Sequence, residues 1–156
     1  MKVQAFAVVF GMLVMVGSAG AAESKAQSKD EITRAAMRAN KKALVANNMN
    51  LSAEQEAIFW PMYDEYQIEI NKLNAEREAV IRKFAINYNS LTDELAKELM
   101  DQTVEVEKKR NDLRKTLITT FGRKFPPKVV ARYYQIENKF DTALMAEAAE
   151  GIPLAK

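Results

Sequence analysis

The chain has 156 residues, a formal net charge of +2 at neutral pH, and neither cysteine nor histidine. These two absences exclude disulfide bonds, zinc sites built on thiolate or imidazole, and hydrolysis by a Ser-His-Asp or Cys-His triad. A charge this close to balance gives no indication of nucleic-acid binding.

The first 22 residues have the pattern of a cleavable secretory signal peptide. Lys2 makes the start positive, residues 5–17 are apolar, and the small residues 18–22 suit a signal peptidase. We expect cleavage after Ala21 or Ala22, with a buried N-terminal helix as the alternative. Cleavage would leave 134 residues with a net charge of +1, because the removed segment holds one lysine and no acid. The product is expected in the periplasm, without stable membrane insertion, since no second apolar run is long enough to span a bilayer.

Beyond the signal segment, the pattern predicts an all-α protein. Residues 23–29 are small and polar and predict a flexible lead, and residues 30–156 predict a single domain of about four helices. The first helix is expected to begin at Asp30. It is expected to pack loosely, because its apolar positions are sparse. They are Ile32, Ala36, Leu44 and Val45.

The second helix has a clear start signal in the segment "LSAEQ". Ser52 suits the N-cap, Gln55 completes a capping box, and Leu51 can fold back onto the first turn. The helix is predicted from about Ala53 to Tyr88, a length on the order of 50 Å. Its apolar residues recur every three or four positions and predict its buried face. They are Phe59, Met62, Tyr66, Ile70, Leu73, Val80, Phe84 and Tyr88.

A proline, Pro61, stands deep inside this helix in an aromatic cluster. Because proline has no N–H, it removes the helical bond to the carbonyl of Ala57, which predicts a kink at this point. We interpret the cluster as an anchor for the fourth helix, through Tyr133 and Phe140, with client binding by Trp60 as the alternative. The aromatic residues of the cluster are Phe59, Trp60, Tyr63 and Tyr66.

A turn near residue 90 separates the second helix from the third. Thr92, which follows Leu91, suits the N-cap of the third helix, and this helix is expected to end near Gly122. A fourth helix is expected from "FPPK" to Gly151. Because the connecting turn is short, the second and third helices are predicted to form a long, kinked antiparallel hairpin.

Charge is distributed unevenly along this predicted hairpin. Residues 54–72 are mainly acidic and residues 108–124 are mainly basic, and folding near residue 90 would lay the two segments side by side. We therefore expect the basic segment to have an acidic partner inside the same molecule. The alternative is a basic surface that is open to an acidic ligand.

Two arginines, Arg77 and Arg110, interrupt the apolar faces of the second and third helices. Their expected partners are Glu137 or Glu69, because a half-buried arginine needs a carboxylate and a full set of hydrogen bonds. Such pairs would lock the fourth helix onto the hairpin.

A helical wheel reveals a second set of apolar residues, which lies off the main apolar faces. On the second helix they are Ile68, Ala75, Ala79 and Ile86, and on the third they are Met100, Val104 and Ile118. Either the first and fourth helices cover these residues, or they form a surface open to a partner chain or an unfolded client. The candidate protein-binding surface comprises Trp60, Ile68, Ile86, Met100, Val104 and Ile118.

The remaining residues give little indication of chemistry. The chain has no glycine-rich phosphate loop and no acidic calcium loop, and its methionines are scattered. The carboxylate pairs at 64–65 and 93–94 are adjacent on helices, so their side chains do not face each other. We therefore predict no catalytic residue, no cofactor and no metal, and a protein that is not an enzyme.

The segments "LSAEQ" at 51–55 and "LTDEL" at 91–95 each open a helix, and both resemble the L-T-x-x-Q motif of the Spy/CpxP group of periplasmic proteins. The first segment has Ser52 in place of Thr, and the second has Leu95 in place of Gln. The resemblance covers roughly residues 50–125. It implies an exported, helical protein built on a kinked hairpin, sometimes a homodimer, that acts as an ATP-independent chaperone or as an accessory to an envelope sensor kinase.

Two functions are therefore expected. The first is a chaperone-like protein that holds unfolded clients on an apolar surface. The second is an adaptor that docks on one envelope protein, such as a sensor domain. They differ in the number of proteins that they bind.

Overall fold

The structure is a computed structural model, and it describes residues 35–155. The predicted signal peptide, the lead at 23–29 and the helix start at Asp30 lie outside these residues. Packing divides the chain into two units, Met1–Asn40 and Lys41–Lys156. The contacts described below belong to the second unit.

Four α-helices make up most of the described chain, and no strand occurs within residues 35–155. The helices are α1 (described over 35–49), α2 (Ala53–Asn87), α3 (Asp93–Gly122) and α4 (Pro127–Glu150), with a short 3₁₀ helix at Tyr88–Ser90. The predicted all-α fold with about four helices is confirmed. The boundaries of α2, α3 and α4 follow the predicted ones within a residue or two.

Local signals set the two helix starts of the hairpin. The Ser52 hydroxyl accepts a hydrogen bond from the Gln55 N–H, and the Gln55 side chain accepts one from the Ser52 N–H, at 3.3 and 3.0 Å. This is the predicted capping box, and Leu51 packs against the core beside it. Thr92 Oγ1 accepts from the Leu95 N–H at 3.2 Å and caps α3. Asn50, with a φ of 50°, takes the left-handed conformation that ends α1.

The hairpin is antiparallel, and ion pairs fix its register. Lys83 lies 2.7 Å from Glu98 and Lys109 lies 3.0 Å from Glu76. Both pairs place the fold point near residue 90, as predicted. Helix α2 is continuous on both sides of Pro61, which is exposed.

The core lies at the end of the hairpin where all four helices meet, and we call this region the base (residues 41–70 and 110–140). Tyr133 of α4 is fully buried at its centre, with the rings of Phe59 and Phe121 both 5.0 Å away. Tyr63 and Tyr66 pack on it at 5.9 and 6.2 Å. The prediction that the aromatic cluster anchors α4 through Tyr133 is confirmed.

From residue 41 onward, α1 packs closely against the core, so the expectation of loose packing is wrong there. Val45 is fully buried and Met49 nearly so, and both belong to the core. The apolar residues of α1 are few. Because Val45 and Met49 are four residues apart, they lie on the same face of the helix, and these two side chains are enough to pack α1 against the core.

At the other end of the hairpin, α2 and α3 are the only α-helices among residues 35–155, and we call this end the tip (residues 80–104). Leu99 is its one buried apolar residue within the described structure. Val80, Phe84, Tyr88 and Leu95 are half-buried between α2 and α3. The tip therefore has a single row of apolar contacts between two helices, whereas the base has a core.

Candidate functional site

A row of exposed apolar residues runs along α2, and we call it the α2 stripe (Ile68, Ala75, Ala79 and Ile86). Ile68 is more than half exposed and Ile86 is 74 % exposed. The two isoleucines are five helical turns apart, about 27 Å, so they share one face. That face lies opposite the buried Tyr66 and Ile70.

A second row, the α3 stripe (Met100, Val104 and Ile118), lies on α3. Met100 is 63 % exposed and Val104 is 69 % exposed, and they stand one turn apart in the tip. Ile118 is about half exposed and lies nearer the base. Helices α1 and α4 were one expected cover for both stripes, but in the described part of the chain they leave these side chains open to solvent.

Charged residues border the stripes and pair weakly. Lys72 bonds Glu69 at 2.7 Å, Arg82 bonds Glu78 at 2.8 Å, and Lys97 bonds Asp101 at 2.6 Å. The hydrogen bond to Asp101 raises the pKa of Lys97. Exposed pairs of this kind add little stability, so a charged partner can exchange with them at low free-energy cost.

Trp60, the sixth residue of the candidate surface, belongs to a different environment. It is half-buried, with Phe59 at 5.2 Å and Tyr63 at 5.4 Å, both edge to face. The ammonium group of Lys42 lies 5.2 Å from the centre of its ring. These contacts place Trp60 at the edge of the core, away from the two stripes, and support its interpretation as an anchor.

The predicted pairing of Arg77 and Arg110 with Glu137 or Glu69 is wrong. Both arginines bond Asp141 of α4, at 3.1 and 2.5 Å, and Arg114 bonds its other oxygen at 2.7 Å. Arg110 also donates to the amide oxygen of Asn74. Antiparallel packing of α4 on α3 brings Asp141 to these arginines, whereas Glu137 lies one turn earlier on α4.

Asp141 is the centre of this arginine cluster. Burial opposes its ionisation, but the hydrogen bonds and charges of Arg110 and Arg77 outweigh burial and hold the pKa of Asp141 below its ordinary value. Arg110 is 1 % exposed, and within residues 35–155 its Nε has no hydrogen-bond partner; a carboxylate oxygen of Glu107 lies 3.6 Å from this Nε. The cluster ties α4 to the hairpin electrostatically.

Glu137 forms a second buried cluster with residues of α1 and α2. It lies 2.7 Å from the Lys41 ammonium and accepts a hydrogen bond from Gln67 at 2.9 Å. The Gln67 amide also contacts the Tyr133 hydroxyl at 3.2 Å and accepts from Lys41 at 2.9 Å. Burial, and then the charge of Glu137, raise the pKa of Tyr63, Tyr66 and Tyr133, so all three phenols stay protonated.

Between these two clusters lies a small cavity, floored by Ile70 and Phe140. Its volume of about 20 Å³ accommodates a single water molecule, whereas ligand sites usually need about 300 Å³ or more. The charged groups around it already pair with one another. This cavity therefore has room for a water molecule but is too small for a ligand.

Segment 108–124 has acidic partners within the chain, as expected, but the partners seen in the described residues lie outside segment 54–72. Lys109 pairs with Glu76, and Lys115 pairs with Asp112 of its own helix at 2.9 Å. In segment 54–72, Asp64 pairs instead with Lys42 of α1 at 2.8 Å. The acidic partners of segment 108–124 thus come from three helices, with Glu76 on α2, Asp112 on α3 and Asp141 on α4.

No family model matches the chain, and the searches of curated proteins and of solved structures found no match. Within residues 35–155, no three acidic, histidine or cysteine side chains come together to hold a metal. Over the same residues, no helix combines the length and the apolar character needed to cross a bilayer. The two exposed stripes form the candidate functional site.

Proposed function

We propose that the protein binds apolar segments of other polypeptides on the α2 and α3 stripes, without ATP and without a catalytic step, as a chaperone-like protein of the periplasm. One observation carries this proposal. Ile86, Met100 and Val104 are each more than 60 % exposed in a chain that buries similar residues elsewhere. Single exposed apolar residues are ordinary, but rows along a helix face are typical of interaction surfaces.

The construction of the tip supports binding to varied segments. Two of the three α3-stripe residues and one end of the α2 stripe lie where only two helices pack together. A thinly packed hairpin end opens and adjusts at a lower free-energy cost than a four-helix core. Promiscuous binding surfaces commonly use such adaptable, methionine-containing regions.

The charged rims support the same proposal. Lys72, Arg82 and Lys97 stand beside the stripes, and each pairs with an acid of its own helix. A polar rim around an apolar centre keeps a binding surface soluble when it is empty. The rim pairs can rearrange when a client arrives, because exposed ion pairs are weak.

An adaptor for one envelope protein is the second candidate. The α2 stripe favours it, because Ala75 and Ala79 lie between two isoleucines on a straight face. Small residues at the middle of a helix face let another helix approach closely. A second copy of this chain would be one such partner, as the resemblance to the Spy/CpxP group also implies.

A client panel separates the two functions. The chain from residue 23 onward should slow the aggregation of several unrelated unfolded proteins at near-stoichiometric ratios, followed by light scattering. Val104→Asp should reduce this effect at least fivefold, whereas Thr119→Asp, on an exposed site of the same helix, should not. A chain that protects none of the clients would contradict the chaperone function.

The adaptor is tested by capture from an envelope fraction. Recovery of one envelope protein in place of many would favour the adaptor, provided that Ile68→Asp abolishes the recovery. Light scattering at two salt concentrations then determines whether the chain dimerises, and the same measurement on Ile68→Asp determines whether the dimer depends on Ile68.

A further inference from the structure

Residues 41–49 of α1 lie in a groove between α2 and α4, and we call them the strap. The strap places one side chain per turn into the groove, at Lys41, Val45 and Met49. Leu44, next to Val45, is 43 % exposed on the outer side. The strap therefore uses a cation followed by apolar residues four and eight positions later.

The groove offers a matching set of contacts. At one end, Glu137 and Gln67 receive the Lys41 ammonium, at 2.7 and 2.9 Å. In the middle, the rings of Trp60 and Tyr63 lie 5.2 and 5.5 Å from the Lys42 ammonium. The groove thus combines a buried carboxylate with an aromatic wall, which suits an amphipathic helix that carries a cation at one end.

The walls of the groove also contact one another directly. Tyr133 of α4 packs directly on Phe59 of α2 and Phe121 of α3. Asp141 joins α4 to Arg77 and Arg110 of the hairpin. None of these contacts involves residues 41–49. Release of the strap would open the groove and leave α2, α3 and α4 packed.

We propose that this groove is a second binding site, for an amphipathic helix that carries a cation and then apolar residues four and eight positions later, and that the strap is its resident occupant. An incoming helix must displace the strap, so the strap lowers the affinity for any competitor. Glu137 makes the groove selective for helices that carry the cation, because a helix without it would leave this carboxylate buried and without a charged partner. The site is separate from the two stripes, which stay exposed while the strap is in place.

Hydrogen exchange on the chain from residue 23 onward tests the strap directly. We expect the amides of residues 42–49 to exchange at least tenfold faster than those of Tyr63–Ile70, because the strap opens locally. Equal, slow exchange in the two segments would show that the strap is an integral part of the core and would overturn the proposal.

Peptide binding tests the groove, with a synthetic peptide of residues 35–50 as the probe. Trp60 is the only tryptophan in the chain and lies in the groove, and the peptide contains none, so Trp60 fluorescence reports binding. Val45→Asp, which weakens the strap, should bind the peptide at least tenfold more tightly than the unaltered chain. The matched control Leu44→Asp, at the exposed neighbour, should bind it as weakly as the unaltered chain.

Two further variants complete the test. A peptide with Lys41→Glu should lose binding, because it brings a second carboxylate to Glu137. The Ile86→Asp chain should bind the peptide unchanged, so failure of the stripes and failure of the groove are distinguishable. The proposal is overturned if the Val45→Asp chain keeps slow hydrogen exchange in α2, α3 and α4 but binds the peptide no more tightly than the unaltered chain. It is also overturned if Val45→Asp makes amides exchange rapidly throughout the chain.

Discussion

The base and the tip are built from the same two long helices, yet they differ in how completely their apolar residues are buried. In the base, α1 and α4 add Val45 and Tyr133 to the hairpin, and both residues are fully buried. In the tip, Leu99 is the buried apolar residue of the described structure, and Ile86 and Val104 stand open to solvent. The apolar spacing of α2 is similar in both regions, so the difference comes from what packs on the hairpin.

This comparison separates two uses of apolar residues within one helix. At Phe59 the apolar face packs on α3 and α4, through Phe121 and Tyr133, and contributes to stability. At Ile86 an apolar residue on the far face meets no covering helix in the described structure, so it is available to a partner. Stability and binding should therefore respond to mutations in different halves of the molecule.

The largest effect on stability is expected for Tyr133→Ala. Removal of this ring leaves a cavity among Phe59, Tyr63 and Phe121, so the free energy of unfolding should fall by about 3–5 kcal/mol. Tyr88→Ala, in the tip, removes a half-buried ring and should lower it by only about 1 kcal/mol. Urea unfolding measures both values. Equal losses at the two positions would break the distinction between base and tip.

The next largest effect is expected for Asp141→Asn. The buried Arg110 would lose its charged partner, so the free energy of unfolding should fall by about 2–4 kcal/mol. Glu105→Gln, which changes an exposed carboxylate on α3, serves as the control and should change it by less than about 0.5 kcal/mol.

The same carboxylate predicts an acid-dependent step in stability. The pKa of Asp141 is lower in the folded chain than its ordinary value of 3.8. Its stabilising contribution is therefore complete above pH 3.8 and is lost as the pH falls through the lower pKa of the folded state. Urea unfolding at several pH values should show a smaller loss between pH 5 and pH 2 for Asp141→Asn than for the unaltered chain. Parallel losses would indicate that other carboxylates govern acid unfolding.

A smaller effect is expected at the two helix caps. Ser52→Ala and Thr92→Ala should each lower the free energy of unfolding by about 1 kcal/mol. Their locations should differ, because Ser52 begins α2 in the base and Thr92 begins α3 in the tip. Hydrogen exchange should show that Thr92→Ala accelerates exchange mainly in residues 80–104. Acceleration spread evenly over α3 and α4 would show that the tip does not open independently.

The features that the sequence predicted correctly depend on near neighbours in the chain. The capping box at Ser52, the cap at Thr92 and the end of α3 at Gly122 each follow from residues within one turn. The antiparallel hairpin follows from the short turn between two long helices. The role of Tyr133 as an anchor follows from the apolar spacing of α4.

The features that it missed depend on the lateral placement of α1 and α4. Tyr63 is buried although it lies outside the predicted apolar row, because α1 and α4 widen the buried face of α2. The sequence does not identify Asp141 as the partner of Arg77 and Arg110, because its proximity to them depends on the register between α4 and α3. Nor does the sequence determine whether the second set of apolar residues is covered or open, since spacing identifies an apolar face but not its neighbour.

The smallest effect on stability is expected for Ile86→Asp, where the effect on binding should be the largest. Ile86 is 74 % exposed, so its replacement should change the free energy of unfolding by less than about 0.5 kcal/mol. A new charge on an apolar binding surface should nevertheless weaken client binding at least fivefold, because the carboxylate would have to lose its water in the complex. Thermal unfolding and aggregation assays on the same sample measure the two effects, and Ala85→Asp, at an exposed neighbour outside the stripe, controls for the added negative charge. A large loss of stability would show that a second copy of the chain or another partner buries Ile86 in solution. Ile86 would then belong to a structural interface and not to the client-binding surface.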